Sequence, residues 1–538
     1  MADHVFLNGE VITVDEQNRI LEAVAIEGNQ IIAVGTNEEI KKYIHDSTHV
    51  INLEGKSLLP GFIDSHLHMA IIGTNKLGID FKEMHLTSIR DFLAKGKEAA
   101  NRIPKGEWIR AWGFNENIIE EKRFPTRWEL DEISREHPII VGRTCGHISV
   151  VNSKALELAG LSQSTPNPEG GIIGRDENGE LNGLLYETAH MSMYALAQFS
   201  EEELINGLIL ASNEFVKLGI TSIHDAGSYG ASVFRAMQKA VASGAVKTRI
   251  YAMICELNHP EIYIKKMIDA GILSGAGNEW FKIGPAKIFM DGASTGPTIA
   301  TREPYTSNPN DCGILYYSQE QLDEILGEAH EKGFQITAHA QGDRAIDMLL
   351  TCMERALEKY PRSNHRHRIE HAGLAMPDLL TRMKKLGVIP IPNPGFFYEF
   401  GEGYIKHYGE RVNHMYPLRD YIDAGVIAAA ASDSPVIMPD PLHGIHVAVN
   451  RLSSSGQEVG ANQRISVLEA IKLFTWNGAY ASFEEKMKGS IEVGKLADLV
   501  VLDKAILNVP HEQIKDIQAE LTMLDGKIVF QHSTSLIG

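Results

Sequence analysis

Short apolar runs that stop abruptly at polar groups alternate along most of the chain with longer segments whose apolar residues recur at helical spacing. The opening run, Leu58-Leu59-Pro60-Gly61-Phe62-Ile63, ends in Asp64-Ser65-His66-Leu67-His68. Seven more runs follow: Gly219-Ile220-Thr221-Ser222-Ile223-His224-Asp225, Arg249-Ile250-Tyr251-Ala252-Met253-Ile254, Lys282-Ile283-Gly284-Pro285-Ala286-Lys287-Ile288-Phe289, Phe334-Gln335-Ile336-Thr337-Ala338-His339, His367-Arg368-Ile369-Glu370-His371, Gly387-Val388-Ile389-Pro390-Ile391, and Val426-Ile427-Ala428-Ala429-Ala430-Ala431-Ser432-Asp433. Strands this apolar belong to a parallel sheet covered on both faces, and segments such as 320–332, 343–359 and 377–386 supply helical crossovers. Eight such units predict an α/β fold, a (β/α)8 barrel of the TIM type, whose chemistry sits at the C-terminal ends of its strands.

The pattern changes at both ends of the chain and after the first run. Residues 4–58 carry short β-rich runs and turn signals, and residues from 489 onward repeat that chemistry around Asp525-Gly526. A small sheet with open edges needs a partner, so residues 1–58 and 488–538 are expected to build one composite small β domain flanking a barrel of residues 59–487. Residues 71–199 break the βα rhythm with aromatic patches (Trp108, Trp112, Phe114, Trp128), a strand-like His137-Pro138-Ile139-Ile140-Val141 and a hairpin signal at Asn178-Gly179. They read as a long insertion after strand one, where a barrel builds its mouth from loops.

Composition narrows the partners. The formal charge of −19 over 538 residues, without long like-charge blocks, argues against nucleic acid. The four cysteines, Cys145, Cys255, Cys312 and Cys352, form no C-x-x-C pair, which excludes a thiolate metal site and a disulfide framework and fits a reducing cytoplasm. The N-terminus has neither a basic stretch nor an apolar core of the signal-peptide kind, and no apolar run has the length of a membrane span. A small-molecule substrate is expected; a homo-oligomer is left open.

Candidate chemistry lies at the strand ends. His66 and His68, two residues apart on an extended strand, point to the same side and can aim at one point. His339, His371 and Asp433 end three later runs. Imidazole is the commonest metal ligand, and independent polar accidents would not gather at the C-terminal ends of barrel strands. Lys287 is a candidate bridge between two ions. An ammonium has no lone pair and is a poor ligand, whereas carboxylation to N6-carboxylysine would give an anion with two oxygens. The alternative is a lysine that stays charged and meets substrate.

Pro60-Gly61-Phe62-Ile63-Asp64-Ser65-His66-Leu67-His68, with His339, His371, Asp433 and the closing run Gly489-Ser490-Ile491-Glu492-Val493-Gly494-Lys495-Leu496-Ala497-Asp498-Leu499-Val500-Val501-Leu502-Asp503, resembles the metal-dependent amidohydrolase superfamily. Asp225-Ala226-Gly227, Lys287-Ile288-Phe289-Met290-Asp291-Gly292, His147 followed by Val151-Asn152-Ser153-Lys154-Ala155-Leu156, and His443-Gly444-Ile445-His446-Val447-Ala448-Val449-Asn450-Arg451 resemble its branch of YtcJ-like proteins and N-substituted formamide deformylases. The resemblance implies Zn2+ or another divalent transition metal, as one ion or two, held by His66, His68, Lys287, His339, His371 and Asp433. It also implies hydrolysis of a C–N bond in an amide, formamide or carbamate.

The expected mechanism is attack by metal-activated hydroxide with Asp433 as general acid and base. His147 is expected either to hydrogen-bond the substrate carbonyl or to be a structural loop histidine. Trp112 and Phe114 either line a substrate pocket or pack the insertion's own core; His224, Asp225 and Asp343 are weaker substrate or ligand-orienting candidates. Two rival readings are a serine hydrolase built on Gly292-Ala293-Ser294-Thr295-Gly296, which needs a helix directly after the serine, and a non-catalytic binding or regulatory relative.

Overall fold

The computed structural model describes residues 1–81, 84–144, 147–227, 230–257 and 259–532; Cys145 lies outside them. The chain divides into two compact units, Met1–Met69 with Ser212–Gly538, and Ala70–Ala211. In the first, seven parallel strands form one sheet in the order Ile389–Ile391, Arg368–His371, Ile336–Ala340, Phe281–Phe289, Arg249–Ile254, Ile220–Asp225 and Phe62–Leu67. Each falls on one of the apolar runs, because a strand covered on both faces leaves no position for exposed polar groups.

The eighth run forms no regular strand, and this differs from expectation. Residues 426–433 nevertheless bond to both edges of the sheet. Ala429 and Ala431 donate their N–H groups to the carbonyls of Pro390 and Pro392 at 3.1 Å, Ser65 donates to Ala430 at 3.2 Å, and Asp433 donates to His66 at 2.8 Å. Pro390 and Pro392 have no N–H to return, so the ladder on that side runs one way only. The segment closes a TIM-like barrel and abolishes its edges.

Helices Gln319–Glu331, Asp343–Lys359 and Pro377–Leu386 lie where helical spacing places them. Ser318 and Gln321 form a capping box at the first, while Pro377 opens the third and Gly387, at φ 72, ends it.

The same unit contains two further sheets. The strands of residues 4–58 divide between these two sheets. Gln30–Gly35, Ala23–Glu27, His4–Leu7 and His49–Asn52 make a four-stranded sheet. Glu10–Ile12 and Ser57–Pro60 join a second sheet with Leu499–Leu502, Ala519–Leu524 and Lys527–Gln531, so this sheet takes strands from both chain ends. Phe6, Val24 and Ile26 of the first sheet share a buried cluster with Val11, Leu58, Leu499 and Val501 of the second.

The second unit has a six-stranded sheet in the order Gly171–Arg175, Leu181–Glu187, Ile148–Val151, Ile139–Arg143, Ile109–Phe114 and Ile79–Asp80. Its hairpin turns at Gly179, whose φ of 80 suits a residue without Cβ. No helix among the described residues is long and apolar enough to cross a membrane.

Arg249 on a barrel strand forks onto Asp498, at 2.7 and 3.1 Å, and reaches Asp525 at 3.2 Å; Arg249 and Asp498 are both buried. Removing the carboxylate would leave a buried guanidinium poorly compensated. The Asp498→Ala variant should therefore lose about 3–5 kcal/mol of stability in denaturant unfolding; a loss below about 1 kcal/mol, the range of an exposed pair, contradicts this role.

Candidate metal centre

His66, His68, Lys287, His339, His371 and Asp433 all line one cavity of about 240 Å3 inside the first unit, together with Phe289, Phe396 and Gln341. Asp433 Oδ1 lies 3.3 Å from His66 Nε2 and 3.5 Å from His68 Nε2. One ligand atom from each of these three residues falls within 4.8 Å of the others, close enough to share an ion. The imidazole of His371 sits 4.7 Å from that of His66 and 4.6 Å from that of His339, centroid to centroid. Lys287 Nζ is 3.3 Å from His66 Nε2 and donates to the Ala226 carbonyl at 3.0 Å. The barrel thus gathers all six residues selected at the strand ends.

Each of the four imidazoles has one nitrogen held by an acceptor. His66 Nδ1 meets Glu370 Oε2 at 2.5 Å, His68 Nδ1 the Gly227 carbonyl at 2.5 Å, His371 Nδ1 the side-chain Oδ1 of Asn393 at 2.7 Å, and His339 Nε2 the Gly292 carbonyl at 2.8 Å. An acceptor fixes the proton on the nitrogen that faces it and leaves the lone pair on the other. The lone pairs are then at Nε2 of His66, His68 and His371, and at Nδ1 of His339. Burial pushes His339 down to about 4 and holds His371 well below the ordinary imidazole value, which keeps both neutral. Imidazole nitrogens around a carboxylate are the donor set of a divalent cation of the zinc type.

Glu370 is braced in turn. Burial opposes its charge, yet Arg368 and His66 hold its carboxyl well below the usual range. Arg368 forks onto it at 2.8 and 2.9 Å, and Thr337 Oγ1 donates at 2.7 Å. His371 at φ 69 and Asp433 at φ 60 sit in the left-handed region, the kind of backbone strain that collects where the surroundings over-determine a site.

The remaining sequence candidates fall elsewhere. His224 is buried, with Nδ1 accepting from Arg368 at 2.8 Å, and is not among the residues that line the cavity. Asp225 is also buried; it accepts from the N–H groups of Met69 and Gly227, both at 2.9 Å, and thereby fixes the turn whose carbonyl holds His68. Asp343 begins a helix and accepts from Arg302 N–H at 2.8 Å.

Phe114 is buried in the second unit's own core with Phe81, Phe92 and Phe124, which is the packing alternative, and Trp112 Nε1 donates to Asp80 at 2.9 Å. His147, in the same unit, is exposed, with Nδ1 2.9 Å from Glu187 Oε2. Ser294 is buried; its Oγ lies 3.0 Å from Tyr404 Oη and 3.3 Å from Tyr416 Oη. Among the described residues no histidine hydrogen-bonds it, and the next helix begins only at Gln319, so the serine-nucleophile reading fails.

Sequence reasoning passed over Glu370, Asn393 and the carbonyls of Gly227 and Gly292. A buried carboxylate directly before His371 was the one available signal. Backbone acceptors leave no signal in residue identity.

Glu370→Gln should weaken metal binding by about tenfold to a hundredfold, as loss of an outer hydrogen-bond partner does elsewhere; unchanged affinity in a competition titration would remove Glu370 from the centre.

Residues 49–530 match the amidohydrolase family. The YtcJ protein of Bacillus subtilis (strain 168) is 33% identical, over 98% of this chain and 99% of its own length. The N-substituted formamide deformylase of Arthrobacter pascens is 29% identical, over 99% of each chain. Among solved structures, a metal-dependent hydrolase from Pyrococcus horikoshii OT3 superposes with a TM-score of 0.78 at 26% identity, over 94% of this chain and 99% of that one. With a metal-type donor set at the strand ends of a parallel barrel and a family match that spans nearly its whole length, the chain belongs to the amidohydrolase family.

Proposed function

We propose that this protein is a metal-dependent hydrolase of carbon–nitrogen bonds in amide-type small molecules, among them formamides and carbamates. The observation that carries the reading is the fixed orientation of four imidazoles, each held by an acceptor on one nitrogen, in a cavity that also holds the Asp433 carboxylate. His66, His68, Lys287, His339, His371 and Asp433 are the residues that would hold Zn2+ or another divalent transition metal, as one ion or two, with Lys287 carboxylated where it would contribute. Lys287 supports this part: its side chain is fully buried, with a backbone carbonyl and an imidazole as hydrogen-bond partners and no carboxylate in ion-pair range among the described residues. When bound, such a cation lowers the pKa of its water towards ~7 and polarises a carbonyl oxygen.

The chain's own residues do the rest. Asp433 takes the proton of the attacking water and returns it to the leaving nitrogen. Phe289 and Phe396 give the cavity apolar walls that exclude water from the reacting carbonyl. The thiols of Cys255, Cys312 and Cys352 are unpaired, which supports a cytoplasmic setting.

Dialysis against a chelator should abolish amide hydrolysis and added zinc or manganese should restore it; activity that survives chelation, measured with an amide panel, contradicts the reading. Asp433→Asn should lower kcat by at least about 10³-fold, since it removes both a ligand and the proton carrier. A loss under about tenfold would assign the proton to another group.

A further inference from the structure

Gln341 lines the cavity two residues after His339 and has no role in the mechanism above. Its backbone is fixed on both sides: the N–H donates to Asp291 Oδ1 at 3.0 Å, and the carbonyl accepts from Leu374 N–H at 2.7 Å. The side chain is buried, the residue being 3% exposed. Tyr416 Oη donates to Gln341 Oε1 at 3.2 Å. Behind Tyr416 stand Ser294 Oγ, at 3.3 Å, and then Tyr404 Oη, 3.0 Å from the serine. Burial pushes the phenols of Tyr404 and Tyr416 upward, so both keep their protons.

Taken from Tyr404 to Ser294 to Tyr416 to Gln341 Oε1, every hydroxyl proton in this buried row has an acceptor. The row decides which end of the amide is which. With Oε1 committed, the described residues offer Nε2 no acceptor within hydrogen-bond distance. The imidazole protons around the cavity are committed outward, to Glu370, Gly227, Asn393 and Gly292. Phe289 and Phe396 carry no donor. Gln341 Nε2 is therefore a fixed neutral donor on the cavity wall.

We propose that Gln341 orients the substrate and sets specificity, with Nε2 donating to an oxygen acceptor of an amide-type ligand whose apolar part packs on Phe289 and Phe396. Tyr416 is its positioning residue. Ser294, which resembled a nucleophile in sequence, is the link behind it. The inference rests on the reading of this cavity as an amide site.

Isothermal titration of the metal-loaded full-length protein with acetanilide, an amide with an apolar N-substituent, tests it. Gln341→Leu, and the isosteric Gln341→Glu that exchanges donor for acceptor, should each weaken binding about tenfold to a hundredfold. Tyr416→Phe should weaken it in the wild-type background and by less than about twofold in the Gln341→Leu background, because a residue that acts only through its neighbour is not additive with it.

Equal affinity in wild type and both Gln341 variants overturns the proposal, as does absence of binding to the wild-type protein. Additive losses overturn the role of Tyr416. Aniline release is followed separately: acetanilide held through Gln341 but never cleaved would sink the hydrolase reading and leave this assignment standing.

Discussion

The centre depends on one buried contact, the hydrogen bond from His66 Nδ1 to Glu370 Oε2. A carboxylate inside a barrel is costly unless paired and hydrogen-bonded, and here Arg368 and Thr337 complete its shell. The same Arg368 donates to the carbonyl of Ser65 at 2.7 Å, directly before His66 in the chain. One guanidinium thus fixes the partner of the imidazole and the backbone that carries it. The network spans strands Phe62–Leu67, Ile336–Ala340 and Arg368–His371, so orienting the ligand and closing the barrel are one packing problem.

The other candidate ligands are fixed by cheaper means. Backbone carbonyls of Gly227 and Gly292 hold His68 and His339, and Asn393 holds His371. The closing segment joins Asp433 to the strand of His66 by a bond from its own N–H. Its irregularity is therefore tied to function: a segment with one-way pairing to Pro390 and Pro392 can turn Asp433 into left-handed backbone and aim its carboxylate at two imidazoles.

Much of this was legible in sequence because it follows from period and burial. Apolar runs ending in His66, His68, His339, His371 and Asp433 place the strands, the direction of the sheet and the ligand side at once. What failed did so for physical reasons. Ser294 matched a nucleophile pattern, but its hydroxyl belongs to a row of buried phenols. Phe114 read equally as pocket or core, and burial decides for core. His224 and Asp225 ended an apolar run as the ligands do, yet they face Arg368 and backbone N–H groups. Glu370 and Gln341 could not be singled out, because their importance lies in what they touch across the barrel.

Glu370 and the Gly227 carbonyl set the tautomers of His66 and His68 from outside and turn Nε2 of each toward Asp433, where a cation would sit. Anomalous diffraction at the zinc edge, from crystals of the protein grown with zinc, should show a peak between His66 Nε2, His68 Nε2 and Asp433, with His66 Nδ1 still on Glu370. A peak on the Nδ1 side of either histidine, or no peak in the cavity at all, would refute this arrangement.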